Sequence, residues 1–294
     1  MTVLERERLE GLAPKDQEEV GPWARTPPSG WLGTAVRKAA APVALFVVIL
    51  ASWEGTSLAI RRGGKAFLVP SPLAVLNKGL LAHDAYSEIL PSFARTAVLA
   101  LVGLVVAVAL GMAAGAVMYR FRWLERASYP YLVALQAVPI LAVAPLIAVA
   151  FGYSFFAKGL IVVIIAFFPI PTAFLLGLRS VDRGMDDMFR LQKVSWTTRF
   201  RKLAFPNALP HLLTGFRISA GLAVVGAIVG EEFFQYGQPG LGMRLLQYLQ
   251  QVEYERLYGC LILSSVLGVA FYWFFTWLSH RVLGSWHESV QDEG

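Results

Sequence analysis

Residues 186–217, DDMFRLQKVSWTTRFRKLAFPNALPHLLTGFR, form a polar and basic segment between two long apolar runs. An apolar run of about 20 residues is long enough to cross the hydrocarbon core of a membrane as a helix. A basic segment that separates two such runs is typical of a loop at the membrane surface. We therefore expect residues 186–217 to leave the membrane and to be the place where a partner binds.

The composition of the 294-residue chain indicates that a membrane, rather than water, is its solvent. Hydrophobic residues make up 56% of the chain, charged residues make up 16%, and the mean hydropathy is +0.56. A water-soluble domain of this size is much less apolar. The net charge of +6 comes from short basic patches between apolar runs, which membrane topology explains better than nucleic-acid binding does. The single cysteine, Cys260, lies in an apolar run, so neither a disulfide framework nor a metal site is predicted.

Six apolar segments are predicted to span the membrane as helices, which makes the fold class an all-α, polytopic membrane protein. The segments cover residues 39–60, 95–118, 127–150, 159–178, 211–234 and 258–282. Together they form a transmembrane domain at residues 39–283, with a loop at about residues 180–210 between the fourth and fifth spans. Residues 1–38 are polar and rich in Glu, Arg, Gly and Pro, as in a disordered tail, and residues 284–294 form a second tail.

The distribution of Lys and Arg predicts the side of the membrane on which each loop lies. The two tails and the loops after the second and fourth spans contain 17 of these residues when Arg281, at the end of the sixth span, is counted with the second tail, whereas the other three loops contain 7. Short loops with more Lys and Arg stay in the cytoplasm. We therefore expect a multi-pass protein of the bacterial cytoplasmic membrane with both termini and the 180–210 loop inside.

Several polar residues and prolines in the spans are candidates for a pathway or an outer gate. Prolines break the third and fourth spans, and the carbonyls that they free must face protein or a water-filled path instead of lipid. The two carboxylates at the end of the fifth span suit either a gate or a solvated helix end, and both interpretations stay open. The candidates are Gln136, Pro139, Pro169, Glu231, Glu232 and Phe233.

The loop between the fourth and fifth spans has the pattern of a short amphipathic helix. Met188 and Leu191 are apolar among charged neighbours, and Pro206 and Pro210 follow, which should forbid one straight helix. We expect a helix that projects from the membrane, then a turn and re-entry. Such a helix buries its apolar face on the membrane surface or in a groove of another protein, and periodicity alone favours neither.

The same loop resembles the cytoplasmic loop of permease subunits of bacterial ABC importers. Their signature is Glu-Ala-Ala, three residues, Gly, nine residues, Ile, one residue and Leu-Pro; here Asp187 stands at the Glu position, Lys193 at the Gly position and Pro206 at the Pro position. The resemblance continues in collinear order over residues 45–283, through VPSPLAV, VPILAVAPL and GEEFFQYGQPGLG. It is strongest to the branch that carries sulfonates, taurine, nitrate and thiamine precursors.

The resemblance implies a permease subunit of an ATP-driven importer. It also implies a second permease subunit, identical or paralogous, an ATP-binding subunit that holds ATP and Mg²⁺, and a solute-binding protein outside the membrane. The chain contains no G-x-x-x-x-G-K-[ST] loop, so we expect no catalytic residue and no cofactor in this chain, and ATP hydrolysis by the partner. The residues implied to couple to the ATPase are Asp187, Met188, Phe189, Arg190, Lys193, Ser195 and Pro206.

Besides Asp187 at the Glu position, three departures from the family signature bear on docking. Met188 and Phe189 replace the two alanines, and Lys193 replaces a glycine that permits a bend without strain at Cβ. We expect a modified docking surface that relies more on aromatic and methionine contacts. A relative that has lost its ATPase is the alternative interpretation.

The sequence fits two other classes of membrane protein less well. An ion-coupled secondary transporter should have ionisable groups within its spans, and only Glu54, Glu231 and Glu232 qualify, all at span edges. A membrane enzyme would need facing His, Asp, Glu or Cys, but the four histidines lie in loops or at span ends.

No Lys or Arg is predicted at mid-membrane, which favours a neutral or ring-bearing solute, such as a vitamin precursor or a riboflavin-like compound, over sulfonate or nitrate.

Overall fold

The computed structural model describes residues 31–63 and 68–284, with side chains from residue 40 onward. All regular secondary structure in these ranges is helical, as predicted. Most of the two predicted tails, residues 1–30 and 285–294, lies outside the described ranges. The chain divides into two units, residues 1–53 and 54–294.

The first helix, α1 (Trp31–Arg62), begins inside the segment that was predicted to be a tail. The physical reason is that the residues before the apolar run, WLGTAVRKAA, contain no helix-breaking residue apart from one glycine. Its stretch Ala40–Arg62 is long and apolar enough to cross a membrane. Leu45, Phe46 and Val48 on it are exposed, as expected for a helix that faces lipid or another protein.

The second unit contains the remaining helices. It begins with two short elements, α2 (Pro72–Ala74) and a π-helical turn (Val75–Leu80), which precede the long helix α3 (His83–Arg120). The helices that follow are α4 (Arg122–Ala137), α5 (Ile140–Phe151), α6 (Phe155–Phe167), α7 (Pro169–Arg179), α8 (Arg183–Leu191), α9 (Trp196–Arg199), a π-helical turn (Phe200–Ala204), α10 (Phe205–Phe233), α11 (Leu241–Gln250) and α12 (Tyr254–Leu283).

Within the described residues, five helical stretches are long and apolar enough to span a membrane, and a bent pair is the sixth candidate. The five are Ala40–Arg62, His83–Arg120, Phe155–Arg179, Trp196–Phe233 and Tyr254–Leu283.

The predicted third span differs, because it consists of α4 and α5, which meet at 94°. Val138 between them has an extended ψ of 125°, since a following proline disfavours the helical conformation. Pro139 then supplies no donor to the ladder. The predicted break is thus present and sharp, whereas Pro145 lies within α5.

The fifth span also differs, because it is continuous with the end of the preceding loop. Helix runs from Trp196 through Pro206 and Pro210 to Phe233, so the expectation that these prolines forbid one helix is wrong. The π-helical turn explains this: the Phe205 N–H bonds to the carbonyl of Phe200, five residues back. Pro206 then falls in the first turn of α10, where a missing N–H matters least.

The hydrophobic core lies where α10 packs against α3, α6 and α7. Glycines on α3 allow this close approach. A Cβ on Gly103 would collide with the side chain of Val162 on α6, and a Cβ on Gly111 would collide with Ile170 on α7. These contacts are the tight helix packing that small residues permit in membranes.

The helix α3 connects the two ends of the bundle. In its first turns Glu88 accepts a hydrogen bond from the Tyr248 hydroxyl of α11 at 2.9 Å, and burial together with this carboxylate holds the pKa of Tyr248 well above its ordinary value. At its last residue, the Arg120 guanidinium lies 5.5 Å from the Trp196 ring. A helix of 38 residues is about 57 Å long at 1.5 Å per residue. These contacts therefore define two opposite ends, called here the α11 end and the α8 end.

Candidate functional site

The helix α8 is amphipathic and turns its apolar face outward. It begins after Asp182, whose carboxylate accepts a hydrogen bond from the Met185 N–H at 3.1 Å. Met185, Met188 and Leu191 are 53%, 51% and 84% exposed. Because they are spaced three residues apart, they form one continuous face. An amphipathic helix thus lies where the sequence predicts one, although it ends at Leu191.

The charged face of α8 points toward the rest of the protein. Asp187 and Arg190 on this face line a pocket of about 680 Å³ at the α8 end, which we call the basic pocket. Asp186 forms ion pairs with Arg190 at 2.9 Å and with Arg199 of α9 at 3.3 Å. Asp187 and Arg190 are themselves exposed, so the charged face borders this pocket without being buried, while the apolar face of Met185, Met188 and Leu191 is left uncovered. An exposed apolar face of this kind is covered either by the membrane surface or by a groove of another protein.

The turn after α8 has the hydrogen bonds of a Schellman motif. The N–H of Lys193 bonds to the carbonyl of Arg190 at 2.9 Å, and the N–H of Val194 bonds to that of Phe189 at 3.2 Å. Lys193 has a φ of 51°, in the left-handed region that glycine occupies most easily. The lysine at the signature's glycine position therefore keeps the backbone conformation for which a glycine is suited.

The other predicted coupling residues lie on or beside the same elements. Phe189 is half-buried on α8. Ser195 caps α9, because its hydroxyl accepts a hydrogen bond from the Thr198 N–H at 3.3 Å. Pro206 lies in the first turn of α10, past the π-helical turn. Ser195 and Pro206 thus shape the return of the chain into the span.

Glu231, predicted as a gate candidate, is a buried hydrogen-bond acceptor near the α11 end. Only 3% of it is exposed. Its carboxylate accepts from the Thr96 hydroxyl on α3 at 2.8 Å and from the Gly242 N–H at 3.0 Å. The Thr96 oxygen in turn accepts from the Leu241 N–H at 2.8 Å. This network joins α3, α10 and the start of α11.

A cavity of about 470 Å³ lies beside this network, and we call it the Glu231 cavity. Two cations line it: Lys158, which donates to the Tyr236 carbonyl at 3.2 Å, and Arg95, which donates to the Pro239 carbonyl at 3.0 Å. Rings of Tyr153 and Tyr236 also line it.

Lys158 bears on the prediction of a neutral solute, which rested on the absence of a Lys or Arg at mid-membrane. Lys158 lies in the first turn of α6, within the candidate span Phe155–Arg179, and is 8% exposed. The argument against an anionic solute is therefore weaker than the sequence indicates.

A second cavity, of about 600 Å³, brings together two pathway candidates that lie on different helices. Gln136 near the end of α4 and Pro169 at the start of α7 both line it, and we call it the Gln136 cavity. Pro139 lies in the bend between α4 and α5 and does not line it. Glu232 and Phe233, at the end of α10, are exposed and line neither cavity.

Comparison with known proteins identifies the family. The protein family described as "Binding-protein-dependent transport system inner membrane component" matches residues 107–284 of this chain. The chain belongs to this family.

Individual relatives agree with this assignment. The formylaminopyrimidine transport permease protein ThiX of Halalkalibacterium halodurans is 31% identical over 229 residues, covering 78% of this chain and 88% of ThiX. The riboflavin transport system permease protein RibX of Chloroflexus aurantiacus is 34% identical over 208 residues, covering 68% of this chain and 73% of RibX. The permease protein SsuC of Bacillus subtilis, whose name refers to aliphatic sulfonates, is 27% identical over 251 residues, covering 83% of this chain and 86% of SsuC.

A solved structure has the same fold. A chain of the MetNI methionine ABC transporter, in an inward-facing conformation, superposes with a TM-score of 0.57 at 17% identity and covers 68% of this chain and 99% of its own. At this identity the match shows the fold alone.

The chain is therefore a permease subunit of an ABC importer in the bacterial inner membrane. The predicted resemblance to the sulfonate and thiamine-precursor branch is confirmed. Membership implies an ATP-binding subunit and a solute-binding protein as partners, and it decides against the ion-coupled transporter weighed from the sequence.

Two residues beside Glu231, Thr96 and Lys158, are not predicted as site residues from the sequence. Thr96 is 135 positions from Glu231 in the chain, and an isolated threonine at the start of a span has no pattern that links it to a distant carboxylate. Lys158 was assigned to a loop, although Ser154 caps α6 by accepting from the Ala157 N–H at 3.2 Å. This serine, directly before the apolar residues Phe155, Phe156 and Ala157, is a helix-start signal that places Lys158 inside the helix.

Proposed function

We propose that this permease, together with a second permease subunit, forms the pathway of an importer for a small ring-bearing solute of the vitamin-precursor kind. The named solutes of ThiX and RibX, a formylaminopyrimidine and riboflavin, are ring compounds, and these relatives are 31% and 34% identical to this chain. Both termini and α8 lie in the cytoplasm in this proposal, as the distribution of basic residues predicts.

The coupling element in this proposal is α8, docked on the ATP-binding subunit. The observation on which this rests is the outward apolar face formed by Met185, Met188 and Leu191. A helix of this kind lays its apolar face in a groove of the partner. The ATP-binding subunit holds ATP and Mg²⁺, and its closure moves α8 and thereby the spans as a rigid-body change.

The solute pathway in this proposal includes the Gln136 cavity and the Glu231 cavity. Both combine aromatic or apolar walls with a few polar groups, which is the usual character of small-molecule sites. Lys158 and Arg95 each use one donor on a backbone carbonyl and retain others for a solute. They suit a ring compound that presents hydrogen-bond acceptors.

The docking role is tested by placing a charge on the outward face of α8. Met188→Asp and Leu191→Asp should abolish uptake and co-purification of the ATP-binding subunit, because a carboxylate cannot enter an apolar groove without a large desolvation cost. Thr197→Asp is the matched control, since Thr197 is exposed on the neighbouring helix α9 and the same charge is added there. Unchanged co-purification in both α8 variants would rule out docking through this face.

The solute class is tested on the cognate solute-binding protein by thermal shift, because a ligand that binds the folded state raises its melting temperature. We expect pyrimidines or flavins to raise the melting temperature of this protein, and taurine, alkyl sulfonates and nitrate to leave it unchanged. A shift with a sulfonate alone would contradict the ring-bearing class while leaving the importer function intact.

A further inference from the structure

The basic pocket behind α8 has more positive than negative charge. Its arginines come from the ends of five helices, α3, α4, α7, α8 and α9, and from the interior of α8, and among the described residues that line it two aspartates of α8 are the only carboxylates. The charged residues of the lining are Arg120, Arg122, Arg179, Arg183, Arg190, Arg199, Asp186 and Asp187.

Half of these arginines are balanced by a carboxylate. Arg179 pairs with Glu125 of α4, while Arg190 and Arg199 share Asp186. Within residues 31–63 and 68–284, Arg120, Arg122 and Arg183 form no ion pair. The pocket therefore has uncompensated positive charge and donors in excess of its own acceptors.

The pocket lies where membrane spans end. Arg120 is the last residue of the candidate span His83–Arg120, and Arg179 is the last residue of Phe155–Arg179. Two exposed tryptophans lie near these span ends. Trp123 is 69% exposed, and Trp196 is 38% exposed and contacts the Arg120 guanidinium. Exposed tryptophan beside arginine is typical of the membrane interface, at the depth of the lipid headgroups.

We propose that the basic pocket binds the phosphate headgroup of an anionic phospholipid. Basic pockets between spans bind such headgroups because the phosphate accepts several charge-assisted hydrogen bonds from guanidinium groups. The orientation of α8 favours a lipid over an acidic segment of the ATP-binding subunit. In the proposed function that subunit covers the apolar face of α8, whereas the charged face borders the pocket beside Arg120 and Arg179, where two spans end.

The test is lipid binding to the purified, detergent-solubilised importer complex. Short-chain dioctanoyl phosphatidylglycerol should raise the melting temperature of the complex in a saturable way, and dioctanoyl phosphatidylcholine should not. Arg120→Gln and Arg122→Gln should each weaken the apparent affinity for phosphatidylglycerol about fivefold, the equivalent of about 1 kcal/mol per basic residue.

The controls separate the loss of one site from a general loss of charge or folding. Arg126→Gln removes an exposed arginine that lies on α4, like Arg122, but does not line the pocket. This variant should bind phosphatidylglycerol like the wild type. Arg122→Lys keeps the charge and should retain most of the affinity.

Two outcomes would overturn the proposal. One is an equal response to both lipids, or phosphatidylglycerol affinity that does not change in the two Gln variants. The other is loss of the ATP-binding subunit from those variants with an unchanged lipid response, which would assign the pocket to an acidic surface of that subunit. Since retention of the subunit is scored in the same samples, failure of the lipid site is distinguishable from failure of α8 docking.

Discussion

At the scale of single residues, two side chains occupy backbone conformations that suit glycine. Lys193 has a φ of 51° and Val252 a φ of 62°. Val252 follows α11 with the same pair of hydrogen bonds as Lys193: its own N–H bonds to Leu249, and the next N–H bonds to Tyr248. A Cβ in the left-handed region costs about 1 kcal/mol. The helix ends keep their shape because backbone hydrogen bonds, rather than side chains, define the turn.

Replacing Lys193 with glycine should stabilise the end of α8. Relief of the left-handed strain should make local opening about 1 kcal/mol less favourable, so that amides of residues 191–194 exchange with solvent about fivefold more slowly. Hydrogen–deuterium exchange measures this directly. Lys193→Ala is the control: it removes the charge but keeps a Cβ, so exchange should not slow. Equal slowing in both variants would mean that the charge, and not the backbone conformation, is responsible.

At the scale of elements, the connection between α10 and α11 is fastened to α3 by buried hydrogen bonds. Thr96 donates to Glu231 and accepts from the Leu241 N–H, and Glu231 also accepts from the Gly242 N–H. Gly240 completes the fit, since a Cβ there would collide with the Glu231 carboxylate. Glu231 in this structure therefore positions the turn, which leaves Lys158 and Arg95 as the cations that line the cavity beside it.

Thr96→Val should release this turn. Valine keeps the shape of threonine but leaves the Leu241 N–H without its acceptor and removes the hydroxyl donor to Glu231, which then keeps only the Gly242 N–H; this should lower the free energy of unfolding by about 2 kcal/mol. Thermal unfolding of the purified permease measures the loss, and exchange of the Leu241 amide locates it. Thr96→Ser retains the hydroxyl and should lose markedly less. If serine and valine destabilise equally, then packing of the methyl group, and not the hydroxyl, holds the turn.

At the scale of the whole molecule, the described helices of the second unit form a bundle whose two ends have different chemistry. The α8 end contains the basic pocket, and the α11 end contains the Glu231 network. The excess of Lys and Arg in the segments near α8 predicts that this end faces the cytoplasm.

The orientation can be tested with single cysteines, because the native Cys260 is fully buried and is replaceable by serine for a clean background. Gln238 and Thr197 are both exposed, one near each end of the bundle. A membrane-impermeant maleimide should label Gln238→Cys in intact cells and Thr197→Cys only after permeabilisation. The reverse pattern would contradict the orientation with both termini inside.

Much of the fold could be predicted because its signals are local. Apolar runs long enough to span a membrane mark the helices, and the bend after α4 follows from Val138 standing before Pro139. The prolines of α10 were misjudged for a physical reason: the π-helical turn that accommodates Pro206 depends on packing around it and has no sequence signature.

The sequence by itself determined the all-helical membrane fold, the family, and the position of an amphipathic helix between two spans. Each follows from hydropathy or from motif residues that are close together in the chain. Only the tertiary structure decided which face of α8 points outward, that Gln136 and Pro169 share a cavity, and that Glu231 bonds to a threonine 135 residues away. These facts depend on how helices rotate and pack against one another, and periodicity along a single helix does not specify that arrangement.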